Sequence, residues 1–201
     1  MSSTRGTFLA AAVAGGALML AGASSAFAAD PAGNTSYYDT ASHTVDNGSH
    51  CYPGLPHTDL LPSPANGLTT AFTGSALLSC SAPVNGTLSA GPARLHAWFT
   101  NAGKKDCSTY FFLAHNATSS TAPRNIVGSG SAYGGAPYIY VPAKTTQEVV
   151  LDFNVPQTTL APNDQITLWI DVRTASGSCS NMTLYYGSAD KETYVSIPPI
   201  V

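Results

Sequence analysis

Residues 165–173 read QITLWIDVR and residues 94–100 read RLHAWFT, and these two runs decide the fold class. In a β-strand, successive side chains point to opposite faces of the sheet. Read as strands, both runs place apolar side chains at every second position and polar ones between them, which predicts two half-buried strands. The polar face of each run also carries a tryptophan, Trp98 in one and Trp169 in the other, and the chain has only these two.

Shorter runs with β character recur along the chain, separated by turn-forming residues. They are LTTAFTG, GTLSA, STYFFLAH, YIYV, TQEVVLDFNV, MTLYYGS and TYVSIP. The segment PQTTLAPND, which precedes QITLWIDVR, carries two prolines and Asn-Asp and therefore indicates a loop. Beyond residue 30 we find no window with the apolar spacing of an amphipathic helix. We predict an all-β protein, a two-sheet antiparallel, jelly-roll-like β-sandwich of about eight strands.

The first residues have the composition of a secretory signal peptide. Arg5 precedes the apolar run FLAAAVAGGALMLAGA, and SSAFAAD then offers a small-residue cleavage site. The run is rich in Ala and Gly and short for a membrane span, although an uncleaved N-terminal anchor is the alternative. We predict three parts: a signal peptide over residues 1–29, an irregular N-terminal arm over 30–65 and the sandwich over 66–201. The mature chain is then secreted and extracellular, without membrane insertion.

The charge balance argues against two classes of partner. The chain has 8 Lys and Arg against 11 Asp and Glu, and loss of Arg5 with the signal peptide leaves seven against eleven. A weakly acidic chain without a basic cluster in its sequence is not typical of proteins that bind nucleic acid or an anionic membrane. A glycan or another cell-surface component is the partner that we expect.

Four cysteines, an even number, indicate two disulfides in an exported chain. Three connectivities are open, and we favour Cys51–Cys80 with Cys107–Cys179, because the second pair flanks the strand-like runs STYFFLAH and NMTLYYGS. A zinc site is the alternative, but no CxxC or HxxxH spacing supports it.

The order of the runs carries a resemblance. The segments SALLSCSAPVNGTLSAGPARLHAWFT, FFLAHN, NIVGSGSA, EVVLDFNVP, TLAPNDQITLWIDV and LYYGSADKETYVSIP follow one another over roughly residues 68–198. This course resembles the galactose-binding-like jelly-roll accessory modules of secreted bacterial proteins, such as the C-terminal sandwich of X-prolyl peptidases. Asn163 and Asp164 stand where such modules commonly carry glycine. The resemblance implies the sandwich fold and a module that binds glycans or packs against a partner, and it implies no catalytic residues.

A tryptophan on a polar strand face has two common uses. It can offer a flat apolar ring to the C–H face of a sugar, while neighbouring polar groups bond the hydroxyls. It can instead be covered by a loop or by the N-terminal arm, which needs no ligand. The first use predicts ligand-binding residues on both runs, with Tyr110, Tyr185 and Tyr194 extending the platform; these residues are Arg94, His96, Trp98, Trp169, Asp171 and Arg173.

The sequence offers little for catalysis or metal binding. The common nucleophile, zinc-protease and phosphate-loop motifs are not found in the mature chain. Asp152 and Asp171 are the carboxylate pair that a glycosidase would need, with solvated side chains as the alternative. We predict no cofactor, although the loop residues Asp106, Asn163, Asp164 and Asp190 leave a structural calcium ion open. The function that we favour is a secreted, non-catalytic, carbohydrate-binding module. The alternatives are a cell-surface assembly protein joined through the arm or through YIYV or TYVSIP as edge strands, and an unrecognised small hydrolase.

Overall fold

The computed structural model describes residues 29–40, 57–64, 67–116, 124–173 and 179–201. In these residues the regular structure is β-strand apart from one 3-10 turn at Ser131–Tyr133, which confirms the all-β class. They include no helix long and apolar enough to cross a membrane. The strands are β1 Thr35–Thr40, β2 His57–Leu61, β3 Thr70–Phe72, β4 Ala76–Ser81, β5 Val84–Leu88, β6 Gly91–Asn101, β7 Cys107–Thr109, β8 Phe111–Asn116, β9 Arg124–Gly128, β10 Ile139–Val141, β11 Thr145–Val155, β12 Thr158–Asp171, β13 Met182–Tyr186 and β14 Tyr194–Ile197.

Two long strands organise the two layers of the sandwich. β6 pairs antiparallel with β11 along its whole length, and its other edge carries β14 and then β13. β12 lies between β8 on one edge and β4, continued by β5, on the other. The inward side chains of β6 and β12 belong to one hydrophobic core, so the two layers face each other across it.

The alternation read from the sequence is confirmed in both long strands. Leu95 and Phe99 of β6 are fully buried, as are Ile166 and Leu168 of β12. Burying each such side chain contributes roughly 1.5–3 kcal/mol to folding. The described residues form fourteen strands rather than about eight, because β1, β2, β4 and β9 were not predicted and STYFFLAH divides into β7 and β8.

The predicted loop PQTTLAPND lies largely inside β12, and that prediction is wrong. β12 begins at Thr158 and pairs with β5 through Leu160↔Gly86 and Asp164↔Val84, with a register irregularity between them. Asn163 has a φ of 68°, in the left-handed region that favours glycine. A bulge therefore absorbs the turn-forming residues without ending the strand.

The prediction of an irregular N-terminal arm is wrong for two of its segments. β1 pairs antiparallel with β14 and with β2, and β2 pairs parallel with β4. Hydroxyl and carboxyl groups join these strands: the buried Thr58 Oγ1 donates to Ser79 Oγ at 2.8 Å, which donates to Asp39 Oδ2 at 3.1 Å. Because polar side chains bond one another inside this seam, no apolar alternation marked these strands in the sequence.

The strand order corrects one of the two predicted edge strands, TYVSIP, and leaves YIYV at a sheet edge. β14, which contains most of TYVSIP, lies between β1 and β6 and is not an edge strand. β10, within YIYV, pairs with β7 in a separate two-stranded sheet.

The predicted bond between Cys107 and Cys179 is confirmed, with the two Cα atoms 5.0 Å apart. Cys51, in the other predicted pair, lies outside the described residues, while Cys80 is disulfide-bonded. The predicted signal peptide, apart from Ala29, also lies outside the described residues.

Candidate functional site

The two tryptophans lie on opposite outer faces of the sandwich. β14, β1, β2 and β4 separate β6 from β12 along the sheet, and both long strands turn their apolar sides to the shared core. Trp98 and Trp169 therefore point away from each other. The six predicted ligand-binding residues divide into Arg94, His96 and Trp98 on one face and Trp169, Asp171 and Arg173 on the other.

Arg94, on the first face, is held by its own chain. Its Nε and Nη2 atoms donate to the two carboxylate oxygens of Asp152 at 2.6 and 3.0 Å, and Nη1 donates to the carbonyl of Ala29 at 2.8 Å. Hydrogen bonding to Arg94 lowers the pKa of Asp152. A guanidinium with a bidentate partner and little exposed surface is a packing group here rather than a group free to meet a ligand.

His96 is enclosed in the same way. Its Nδ1 lies 2.8 Å from Glu148 Oε1 and its Nε2 lies 3.2 Å from Asp30 Oδ1. The imidazole stacks on Tyr194 with ring centroids 4.2 Å apart, and Tyr194 in turn lies 4.8 Å from Tyr38. Burial raises the pKa of Tyr194. Asp30 thus covers the polar groups that a ligand would need.

Trp98, beside this closed cluster, is half-buried. It lies in register between Glu148 of β11 and Tyr185 of β13. The Lys191 ammonium sits 3.9 Å from the centre of the Tyr185 ring. We call this outer side of β6, with Arg94, His96 and Trp98, the closed face.

Trp169 belongs to a different arrangement on the outer side of β12. Its ring packs against Leu78 and Cys80, and its Nε1 donates to Asp171 Oδ1 at 3.1 Å. Asp171 also accepts the Tyr110 hydroxyl, and this bond, with partial burial, raises the pKa of Tyr110 to about 12. Asp171, which the sequence predicts as a ligand-binding residue, therefore orients two aromatic rings.

Further rings continue from Trp169. Phe112 is its register partner on β8, and its ring centroid lies 5.2 Å from that of Tyr110 and 4.9 Å from that of Tyr133. Gly128 makes this possible, because a Cβ there would lie 2.3 Å from Phe112 Cδ1. The Phe112 ring therefore lies against the backbone of β9.

Two exposed tyrosines extend the row onto β10. Tyr138 and Tyr140 are 53% and 51% exposed, and the register Tyr140↔Ser108 puts them on the outward side of the ribbon formed by β7 and β10. The Tyr140 hydroxyl donates to Asp106 Oδ2 at 2.6 Å. We call the whole row the aromatic track; its members are Trp169, Phe112, Tyr110, Tyr133, Tyr138 and Tyr140.

The aromatic track is long enough for an extended ligand. From Ser108 to Phe112 the chain advances about 13 Å at the rise of a strand, and the step to the neighbouring strand at Trp169 adds about 5 Å. The sequence reasoning included Trp169 and Tyr110 but missed the other four rings. Alternation in YFF and YIY places Phe112, Tyr138 and Tyr140 on an outward face and could have identified them. Tyr133 lies in a glycine-rich segment without alternation, so no such signal was available for it.

Arg173 follows β12 on the same outward side as Asp171 and is half-buried. Its backbone N–H donates to the Ser75 carbonyl at 3.0 Å. Among the described residues, its Nε makes no hydrogen bond. This Nε atom is buried, so it is not open to a ligand of the track.

The residues considered for calcium do not converge. Asp106 bonds Tyr140 and the Ala143 N–H, whereas Asp164 is buried against His115 Nδ1 and the Ala161 N–H, both at 2.7 Å. Within the described ranges, no three His, Cys, Asp or Glu side chains gather as a metal site would require.

Comparisons with known proteins give a likeness of fold. No family model matches the chain, and no curated protein matches it. A crystal structure of a CocE/NonD family hydrolase from Staphylococcus aureus aligns with a TM-score of 0.53 at 8% identity, over 84% of this chain and 36% of the hydrolase. A second structure of such a hydrolase from that organism gives 0.51 at 8% identity, with the same coverage. This chain thus spans about a third of the length of those hydrolases.

Proposed function

We propose that the chain is a secreted, non-catalytic module that binds carbohydrate on the aromatic track. The observation that carries this proposal is a row of six rings on one outer face, three of them exposed and the others half-buried. Rings of this kind meet the C–H faces of sugars and leave the hydroxyls to polar neighbours. The exposed Ser108 hydroxyl is such a neighbour along the track.

The rings are preorganised, which favours binding. Asp171 holds Trp169 and Tyr110, and Asp106 holds Tyr140. Binding costs less conformational entropy when hydrogen bonds already fix the rings than when the ligand must order them. The closed face offers no comparable surface, because Asp152, Glu148 and Asp30 occupy its polar groups.

The carboxylates support a non-catalytic role. Asp152 and Asp171, the pair considered for glycoside cleavage, belong to opposite outer faces, whereas such chemistry needs two carboxyl groups within about 10 Å. On the track itself, Asp171 and Asp106 are engaged in orienting rings. Secretion is part of the proposal because of the signal-like N-terminus and the Cys107–Cys179 disulfide.

Tryptophan fluorescence tests the proposal with a built-in control. Trp98→Phe leaves Trp169 as the sole reporter on the track, and Trp169→Phe leaves Trp98 on the closed face. Titration with soluble neutral polysaccharides should shift the emission of the first variant and protect it from acrylamide, with no change in the second. A response from Trp98 alone would move the site to the closed face.

Loss-of-binding variants complete the test. Tyr138→Ala with Tyr140→Ala should weaken retention in affinity electrophoresis by roughly 5- to 150-fold, since each aromatic contact contributes about 0.5–1.5 kcal/mol. Trp98→Ala should leave retention unchanged. Emission that no polysaccharide alters, together with concentration-dependent oligomers, would instead favour the assembly protein.

A further inference from the structure

A shallow depression of about 380 Å³ lies beyond Tyr140, at the end of the aromatic track. The β6–β7 turn supplies Lys104 and Lys105 to its wall, the β10–β11 turn supplies Lys144, and the segment after Cys179 supplies Ser180 and Asn181. We call it the lysine depression.

The lysine depression concentrates positive charge in an acidic protein. Three of the chain's four lysines line it, and across the described residues none of the three is seen in an ion pair. The adjacent carboxylate, Asp106, is committed to Tyr140 and to the Ala143 N–H, and these bonds lower its pKa. Three ammonium groups beside this single carboxylate leave a net positive charge, and an anion among them relieves their mutual repulsion.

The walls of the depression are rigid. The fully buried Asn101 donates to the carbonyls of Lys105 and Val141 at 2.9 and 3.0 Å and accepts the Gly103 N–H at 2.9 Å. The Ala102 N–H donates to the Asn181 carbonyl at 3.1 Å. The Cys107–Cys179 disulfide ties the two sides together two residues beyond these contacts.

Lys144 is fixed in an unusual conformation. Its φ of 59° lies in the left-handed region, which is costly for a residue with a Cβ. Its Nζ donates to the Ala102 carbonyl at 2.7 Å, across the depression from its own turn. The strained backbone and this bond together keep the ammonium over the depression.

We propose that the carbohydrate of the aromatic track is an anionic polysaccharide, whose carboxylate or sulfate ester group binds in the lysine depression. The inference rests on the proposed function and deepens it. The Tyr140–Asp106 hydrogen bond makes the two surfaces continuous, because Asp106 follows Lys105 and Tyr140 is the last ring of the track. A polymer that lies along the rings therefore reaches the lysines.

The test compares, within each set, polymers that share a backbone and differ in charge. Hydroxyethyl cellulose, carboxymethyl cellulose and cellulose sulfate are compared in affinity electrophoresis and calorimetry, with dextran, carboxymethyl dextran and dextran sulfate as a second set. We expect a charged polymer to bind at least about tenfold tighter than its neutral counterpart in 50 mM salt, and this preference to fall steeply with added salt. Preference for the carboxylate or for the sulfate identifies the anion.

Matched variants assign the preference to the depression. Lys104→Gln with Lys105→Gln should remove most of the preference and leaves the strained Lys144 turn untouched, so folding is preserved. Adding Lys144→Gln should bring charged and neutral polymers level. Lys191→Gln removes the same charge from the closed face and should change nothing.

The outcomes separate the inference from the proposed function. If neutral and charged polymers bind equally and the lysine variants behave as wild type, the inference is overturned while the proposed function stands. If charged polymers bind through the lysines but Tyr138→Ala and Tyr140→Ala have no effect, the proposed binding on the aromatic track fails. The inference that one polymer occupies both the track and the lysine depression then fails as well. Failure of every polymer to bind overturns both.

Discussion

The closed face and the aromatic track begin from the same sequence pattern and end as different surfaces. Each carries a tryptophan among polar residues on a long strand. On the closed face, Arg94 and His96 are buried by Asp152, Glu148 and Asp30. On the track, the residues beside Trp169 are other rings, and Gly128 leaves room for one of them to lie flat.

The difference shows that neighbouring strands decide whether a polar strand face is available to a ligand. β11 places Asp152 opposite Arg94 and Glu148 within hydrogen-bond distance of His96, so the polar groups of β6 are engaged within the fold. β8 brings Phe112 beside Trp169 of β12, and β10 carries the exposed Tyr138 and Tyr140, so the apolar surface of these rings is not covered by charged side chains.

Asp39 anchors the strands that join the two layers, and its ionisation has the largest effect. Burial raises its pKa from 3.8 to about 7, so the folded protein retains a proton that the unfolded chain releases. This contribution to stability is complete below pH 4 and is lost as the pH rises through 7. At about 1.4 kcal/mol per pKa unit, the loss approaches about 4 kcal/mol.

Asp39→Asn should remove this pH dependence and unfold at higher urea concentration than wild type at pH 8, with little difference at pH 4. Asp59→Asn, on the neighbouring strand, serves as the control. A wild-type protein as stable at pH 8 as at pH 4 would show that Asp39 is ionised in the fold.

Arg94→Ala should destabilise the closed face without affecting polysaccharide binding. It leaves Asp152 without its bidentate donor and removes a buried side chain, and we expect a loss of about 2–3 kcal/mol in urea unfolding. Arg124→Ala, an exposed residue on β9, should cost less than about 0.5 kcal/mol. Lost binding with unchanged stability would instead make the closed face the binding site.

Gly128→Ala should disturb the aromatic track by displacing the Phe112 ring. The new methyl group meets the Phe112 ring, and overpacking of this kind costs about 1–3 kcal/mol. In a Phe112→Leu background the cost should largely vanish, which a double-mutant cycle measures. Equal costs in both backgrounds would place the strain in the backbone rather than in the ring.

Asp171→Asn gives the smallest and most local effect. Tyr110, whose pKa is raised to about 12 by Asp171 and partial burial, should then ionise at lower pH. Ultraviolet titration of tyrosinate detects the change, and Tyr110→Phe identifies the transition. The titration of a Trp98→Phe variant should match that of wild type, because Trp98 lies on the other face.

The sequence predicted the long strands of the two layers better than the strands that join the layers. Period-2 alternation identified the core residues of β6 and β12, because apolar burial follows directly from the pattern. It missed β1 and β2, whose buried Asp39 and Thr58 are linked by hydrogen bonds through Ser79 and so show no apolar alternation. It also read residues 158–164 as a loop, since Asn163 supplies a left-handed bulge that continues the strand.

The residue pattern alone indicated the all-β class and the apolar and tryptophan-bearing faces of β6 and β12, and it favoured the Cys107–Cys179 pair among three connectivities. Only the tertiary structure decided that these faces point apart, that one is closed by carboxylates and the other is extended by rings. It also brought Lys144 to Lys104 and Lys105, 39 residues away from the nearer of them in the chain. The physical reason is that alternation is a local property of a strand, whereas the partner of each outward side chain depends on which strand lies beside it.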